Sequence, residues 1–418
     1  MNFFTKKHLL ILGSLFSLFA FGSCGNKHDE PDYDDNGPRK RSILLYAVAS
    51  NNLSSNLVSD KNEILKAAKG MDLRGLSMLV YEVTRSADPQ LLELKRINRD
   101  SVAFVKVKGY DKSLYSTDPR RISEVMGDVR ALRPSDSYGL ILWSHGTGFD
   151  PSFPTHGEDE ASVRMGQNGD IVVSSDLPEL YSFGMDNDPS KDPGYNDAID
   201  IDELADAIPD HMFDFIWFDA CYMSGIETIY ELRDKCDYFV GYPTEVYTPG
   251  MAYDLTVPYL LREQPDLKGA AEVFFNYYAE HAQQVYRVAT VAVVDMSQLE
   301  TVADLCKGIY AGGIIPSVSG LQKYSRDSFG PFYDFGQYTS LMAESNKEHV
   351  SAEEIAESLS KLVIYKAATP SDFNFQPIVA ENYSGISCFR LDSSDSSEKA
   401  EYYRTLDWYK RVYPGNAE

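Results

Sequence analysis

Apolar residues along the chain fall into two patterns. Short runs rich in β-branched and aromatic residues alternate with longer stretches in which apolar positions recur every three or four residues. The short runs predict strands at Ile43 to Ala49, Ser77 to Val83, Val102 to Val107, Gly139 to Trp143, Phe213 to Phe218, Tyr238 to Gly241 and Ala289 to Val294. The longer stretches predict helices at Asp60 to Ala68, Pro119 to Leu132, Asp202 to Ala207, Ser224 to Arg233, Lys268 to Gln283 and Ser297 to Tyr310. Such alternation implies an α/β fold, a mostly parallel sheet with helices on both faces, because parallel strands need long crossovers that bury each face. After Tyr310 the pattern changes: GGIIPSVSG breaks it, FGPFYDFGQY is an aromatic cluster that reads as core, and a helix from Ala352 to Ala368 precedes a strand from Ile386 to Leu391. Residues 311–418 therefore read as a C-terminal α+β subdomain packed against a main domain of residues 42–310.

The first residues carry an address. Lys6 and Lys7 precede an apolar run, Leu9 to Gly22, that is too short to cross a bilayer comfortably, the pattern of a signal peptide over residues 1–23. Phe21-Gly22-Ser23 before Cys24 resembles a lipobox, with Cys24 the lipidated mature N-terminus. The acidic, proline-bearing stretch that follows reads as an unfolded tether over residues 24–41. It resembles the acidic signal of Bacteroidota lipoproteins displayed on the cell surface. The expected location is the outer membrane, reached by export.

Composition narrows the partners. Thirty-nine Lys plus Arg against 63 Asp plus Glu give a formal charge of −24, which repels nucleic acid and anionic membrane surfaces. Beyond Cys24 the cysteines stand at 221, 236, 306 and 388, without CxxC pairs, and HExxH, P-loop and GxSxG motifs do not occur.

Parallel sheets carry their chemistry at the carboxyl ends of the strands. SYGLILWSHG delivers His145 to one such end, and FDFIWFDACYMSGIETIYEL delivers Asp219 and Cys221 to another, directly before a predicted helix. His8 and His28 fall in the signal and tether, His211 before its strand, His281 in a helical pattern and His349 in a distant polar stretch; His156, in PTHGE, is the rival. A thiol at a helix N-terminus is favoured as thiolate, a neighbouring imidazole adds to this, and Gly146 permits close approach to the main chain. Together these residues predict a cysteine hydrolase, although each alone reads as a core cysteine and a structural histidine.

LILWSHGTGF and WFDACYMSG resemble the two catalytic segments of the clostripain family of cysteine peptidases, which belong with caspases, gingipains and legumains. ILLYAVASNNL, IDIDELADAI and YSGISCFRL extend the likeness over most of the chain from about Ser42. Ser144 and Thr147 depart from the acidic residue and the glycine common at those positions. The resemblance implies a caspase-like α/β/α sandwich and a dyad of Cys221 as nucleophile and His145 as general acid and base, with no third orienting residue required. It also implies an oxyanion hole from the amides of Gly146 and Cys221. Asp219 matches the acidic residue at the base of a pocket for a substrate Arg or Lys, where a carboxylate and a guanidinium form a bidentate pair; the other reading makes it a cap of the following helix. Glu245, after the next strand, is a second candidate for that pocket.

His145 and Cys221 are separated by a long acidic connection, residues 150–198, of the kind that forms lids or disordered segments. The resemblance implies self-cleavage in this region, and the only Arg or Lys residues between the dyad partners are Lys191 and Arg164; Lys191, between Pro189 and Pro193, is the preferred site. DNDPSKDPGYND offers oxygen ligands to calcium, but its spacing fits no EF-hand loop, and no cofactor is required. The expectation is a monomeric endopeptidase cutting after Arg or Lys in peptides or proteins and touching membrane only through its lipid. The alternative is a catalytically silent surface lipoprotein that keeps the fold.

Overall fold

The computed structural model describes residues 38–413 apart from 151–161, 166–170, 175–181, 188–196, 282, 325–331, 347, 349, 374–375 and 393–394. The signal peptide, Cys24, His156, Lys191 and most of the calcium candidate lie outside the described residues.

The strands in chain order are β1 (Arg39–Ala49), β2 (Leu76–Thr84), β3 (Gln90–Asn98), β4 (Ser101–Gly109), β5 (Ser135–Trp143), β6 (Ser162–Met165), β7 (Ile171–Ser174), β8 (Phe183–Asp186), β9 (Asp197–Ile199), β10 (Phe213–Asp219), β11 (Cys236–Gly241), β12 (Thr290–Asp295), β13 (Lys323–Tyr324), β14 (Phe332–Asp334), β15 (Val363–Ala368) and β16 (Ser387–Cys388). Nine of them form one sheet in the order β15-β12-β11-β10-β5-β1-β2-β3-β4. The five central strands are parallel; β3 and β12 run against them, and the outermost β4 and β15 turn back to run with the centre.

Side chains alternate across this sheet, as strand geometry requires, and both faces are apolar. Leu44, Tyr46, Val48, Leu140, Leu142, Ile216 and Phe218 face one core. Leu45, Ala47, Ile141, Trp143, Phe215 and Trp217 face the other. The helices α1 (Ser54–Lys69), α2 (Pro119–Leu132), α3 (Ile201–Ala207), α4 (Ile226–Glu231), α5 (Tyr253–Leu260), α6 (Leu267–Ala279) and α7 (Leu299–Ala311) divide between the faces. Helices α2, α3, α4 and α7 bury Ile122, Leu204, Ile229 and Val302 in the first core. Helices α1, α5 and α6 bury Ile64, Val257 and Phe274 in the second. The architecture is the three-layer α/β/α sandwich expected from the alternation.

Four expectations change. Arg39 to Arg41, assigned to the tether, are strand, because Arg41 is buried and donates from Nε to the carbonyl of Arg262 at 2.8 Å while pairing with Asp214. Strand β3 and helix α5 were not read from the sequence, since β3 mixes Glu, Lys and Arg into its apolar run and α5 contains Pro258. The helix expected from Ala352 to Ala368 stops at Leu362, and Val363–Ala368 becomes a sheet edge against β12, where its β-branched start suits a strand. That strand also makes the described residues after 311 continuous with the main fold: the described residues form one compact unit, and Phe335, Tyr403 and Trp408 share a core with α4 and α7.

Gly139 in β5 pairs across the ladder with Phe215 of β10, and a Cβ there would lie 2.4 Å from the Phe215 ring. Gly139→Ala is expected to cost about 1–3 kcal/mol through overpacking, read from the denaturant midpoint, and a second substitution, Phe215→Leu, is expected to recover part of it. No loss in the single variant would show that the ring has room to move.

Candidate active site

The ladder between β5 and β10 sets Trp143 opposite Asp219. Two residues beyond each, at the same carboxyl edge, stand His145 and Cys221. The backbone of Gly146, next to His145, lies close against Cys221: a Cβ on Gly146 would lie 2.8 Å from the Cys221 carbonyl oxygen, 2.8 Å from the Met223 sulfur and 3.1 Å from the Ala220 Cβ. What needs glycine here is thus the neighbouring strand end, not an incoming substrate alone.

Cys221 is not at a helix N-terminus, as the sequence suggested. The helix after it, α4, begins only at Ile226 with Gly225 as N-cap, and Cys221 sits on the turn between. In that turn Tyr222 adopts φ 60°, a left-handed conformation that is strained for a residue with a side chain, while its N–H donates to the Thr244 carbonyl at 3.0 Å. The C-terminal strand β16 braces the far side: Ser387 N–H donates to the Ser224 carbonyl at 2.9 Å, and Phe389 N–H to Glu227 at 2.8 Å. The thiol meets the segment after β11, with the Val246 N–H 3.4 Å from its sulfur. Glu245, buried, lies one residue earlier on that segment. Among the four described cysteines Cys221 alone is partly exposed; burial drives the thiols of Cys236, Cys306 and Cys388 upward, so those three are packing groups.

His145 is held through its backbone. Its carbonyl accepts from Gly184 N–H at 3.0 Å, and Thr147 N–H donates to the Ser182 carbonyl at 3.0 Å. The bridge between Gly146 and Phe183 therefore uses the groups of the two flanking residues and directs the Gly146 N–H to the other side of the chain. The two departures from the expected motif are structural: Ser144 Oγ donates to the Val48 carbonyl at 2.8 Å, and Thr147 Oγ1 to the Asp150 carbonyl at 3.0 Å. The ring's Nε2 lies 2.7 Å from Asn52 Oδ1. Sequence reasoning missed Asn52, although ILLYAVASNNL ends at the same sheet edge.

The long connection between the two residues is not a loop throughout. β6 pairs with β7, placing Arg164 in a strand, and β8 pairs with β9. Phe183 and Met185 are buried, and Asp186 accepts from Ser50 Oγ and from the Ser116 N–H, both at 2.5 Å. Those apolar side chains and that buried carboxylate are what fix the segment.

Asp219 points into the core that holds α1 and α5. Its carboxylate accepts from Met251 N–H at 3.1 Å and from the Tyr253 hydroxyl at 3.0 Å, so it braces the turn before α5 and does not cap the helix that follows it. Beneath it lies Asp60 of α1, bonded to Trp143 Nε1 at 2.9 Å, and Glu63, which accepts from Tyr253 N–H at 2.9 Å. Burial pushes Asp219 up to about 6, against the lowering effect of its two donors. Burial first, then the charges of Asp219 and Glu63, push Asp60 to about 9. Among the described residues no group of His, Cys, Asp and Glu is arranged to hold a metal ion.

The sequence profile of the clostripain family matches residues 45–164 and 190–415. The chain belongs to the clostripain family of cysteine peptidases. Two solved structures resemble this clostripain-family chain closely over their length. One is an inactive zymogen C11 protease from Parabacteroides distasonis, 27% identical, covering 90% of this chain and 99% of that one with a TM-score of 0.71. The other is a secreted C11 cysteine protease from Bacteroides thetaiotaomicron in complex with an irreversible peptide inhibitor, 25% identical, with 90% and 99% coverage and a TM-score of 0.72. None of the curated proteins matches this sequence.

The buried acids give a pH signature. Their folded-state values lie above the ordinary 3.8, so the stability they contribute as neutral acids is whole below about pH 4. It is lost as pH rises through about 6 for Asp219 and about 9 for Asp60. Asp60→Asn keeps an acceptor for Trp143 and removes the charge. The variant is expected to melt with wild type near about pH 4 and above it by a margin that grows up to about pH 9. An equal difference at both would mean that folding does not raise the Asp60 carboxyl.

Proposed function

We propose that this protein is an exported cysteine endopeptidase that hydrolyses peptide bonds after Arg or Lys. The observation that carries the reading is the backbone contact between Gly146 and Cys221, which brings the one partly exposed cysteine of the four described beside the His145 strand end. Cys221 gives its proton to His145, and the thiolate attacks the substrate carbonyl, forming a C–S bond. The oxyanion is met by the amides of Gly146 and Cys221, preorganised by the β8 bridge and the strained Tyr222 turn. His145 returns the proton to the leaving amine as the C–N bond breaks. Water then gives a proton to His145 and adds to the acyl carbon, and the thiolate leaves.

Asp219, with Glu245 on the neighbouring segment, supplies the preference for a cationic side chain. A guanidinium favours an ionised carboxylate, so its arrival offsets the burial that holds Asp219 up at about 6. The secreted relative supports export, and Cys24 is the lipid-bearing residue that would hold the protein at the outer membrane. No cofactor enters this scheme; calcium, if it binds, is taken by the acidic stretch around Asp186 and Asp197. A monomer suffices, because both dyad partners come from one chain.

The function is tested with two peptides that differ only in carrying Arg or norleucine before the cleaved bond, and with an arginyl thiol-reactive probe. Wild type is expected to cleave the Arg peptide and take the probe at Cys221; Cys221→Ala is expected to lose both while melting normally; Asp219→Asn is expected to lose the preference for Arg. Unlabelled, inactive wild type would leave the silent-lipoprotein reading in its place.

Self-cleavage after Lys191, or less favourably after Arg164, completes the proposal. Residues 188–196 connect β8 to β9, whose bonds to each other and to His145 keep both new ends attached. The inactive zymogen relative supports an uncut precursor. Intact mass and N-terminal sequencing are expected to find the cut in wild type, and to find neither Cys221→Ala nor Lys191→Ala cut there. A cut in Cys221→Ala assigns it to another protease.

A further inference from the structure

We infer that Asn52 is a positioning residue for His145, and that Nδ1 of the ring is the nitrogen that exchanges the proton with Cys221. The inference rests on the peptidase reading above and adds to it a third group, on a strand end that the two catalytic segments do not include.

The geometry is direct. Asn52 Oδ1 lies 2.7 Å from His145 Nε2. A carboxamide oxygen only accepts, so the ring nitrogen facing it carries the hydrogen and the neutral ring keeps its lone pair on Nδ1. When Cys221 ionises, its proton goes to Nδ1 and the ring becomes imidazolium, with the Nε2–H still donating to Asn52. When the amine leaves, the same Nδ1 gives the proton up. Asn52 thus stays bonded through both states, selects the tautomer and fixes the plane of the ring.

Asn52 is itself held in place. Its neighbour Asn51 is buried and locks the turn after β1: Nδ2 donates to the carbonyls of Val48 at 3.1 Å and Met185 at 2.8 Å, and Oδ1 accepts from Leu53 N–H at 2.8 Å. On the other side of Asn51, Ser50 Oγ donates to Asp186. The segment Ser182–Asp186 that holds this turn also holds the His145 strand end, Gly184 N–H donating to the His145 carbonyl and the Ser182 carbonyl accepting from Thr147 N–H. One strand therefore sets the register between Asn52 and His145. Asn52 is exposed, so its replacement tests orientation with little change in packing.

The experiment compares wild type, Asn52→Ala, Asn52→Asp and Cys221→Ala on the Arg peptide across pH, with the ¹⁵N spectrum of the His145 ring recorded in a Cys221→Ala background. Asn52→Ala is expected to lower kcat about tenfold or more with little change in KM. It is also expected to move the alkaline limb of kcat/KM down, because the imidazolium loses its acceptor. Asn52→Asp is expected to retain most of kcat and to move that limb up. The ring is expected to carry its hydrogen on Nε2, and to lose that preference when Asn52 becomes Ala. An Nδ1–H tautomer, or an Asn52→Ala enzyme with wild-type kcat and pH profile while Cys221→Ala is dead, overturns this inference and leaves the dyad standing. Full turnover by Cys221→Ala would remove the peptidase reading itself.

Discussion

The parallel ladder that sets Trp143 of β5 opposite Asp219 of β10 is the constraint on which the rest of the site depends. Because the two strands run the same way and in register, each delivers the residue two places later to the same edge of the sheet. A shift of one residue would exchange the faces of Asp219 and Phe218, sending the carboxylate into the other core. The ladder is enforced from both sides by layers of buried aliphatic and aromatic residues, and by the Phe215 ring lying over Gly139.

Behind that edge the protein keeps a group of acids whose oxygens are met by neutral donors, with Lys66 acting on Glu63 by its charge alone. Asp60, Glu63 and Asp219 converge on Trp143 and Tyr253, and both aspartates respond by holding their protons more tightly. Burying like charges costs stability unless they are protonated, bonded or paired. Here neutral side-chain and backbone donors meet the oxygens. Asp219 is thereby bonded into the turn before α5 through Met251 and Tyr253.

The remaining supports come from far along the chain. β16 braces the turn after Cys221, β8 braces the strand end at His145, and Lys399 pairs with the buried Asp150 just beyond it. The site is therefore assembled from the carboxyl ends of β1, β5 and β10, tied by segments that in sequence look like a lid and an appended subdomain.

The sequence by itself determined the layers, the strand ends and the placement of His145 and Cys221 at them. Those are local properties: apolar periodicity fixes which segments become central strands, and a parallel sheet fixes which end carries the chemistry. WSHG and DAC were legible because each follows its own strand directly. Only the tertiary structure decided what surrounds them. That Cys221 lies on a strained turn ahead of its helix, that Asn52 reaches His145, that Phe183 and Asp186 pin part of the long connection, and that Val363–Ala368 closes the sheet all depend on contacts between residues tens to hundreds apart. A polar side chain such as Asn52, or a short strand such as β8, carries no periodic signal of its own. Its role is set by the partner that folding brings to it.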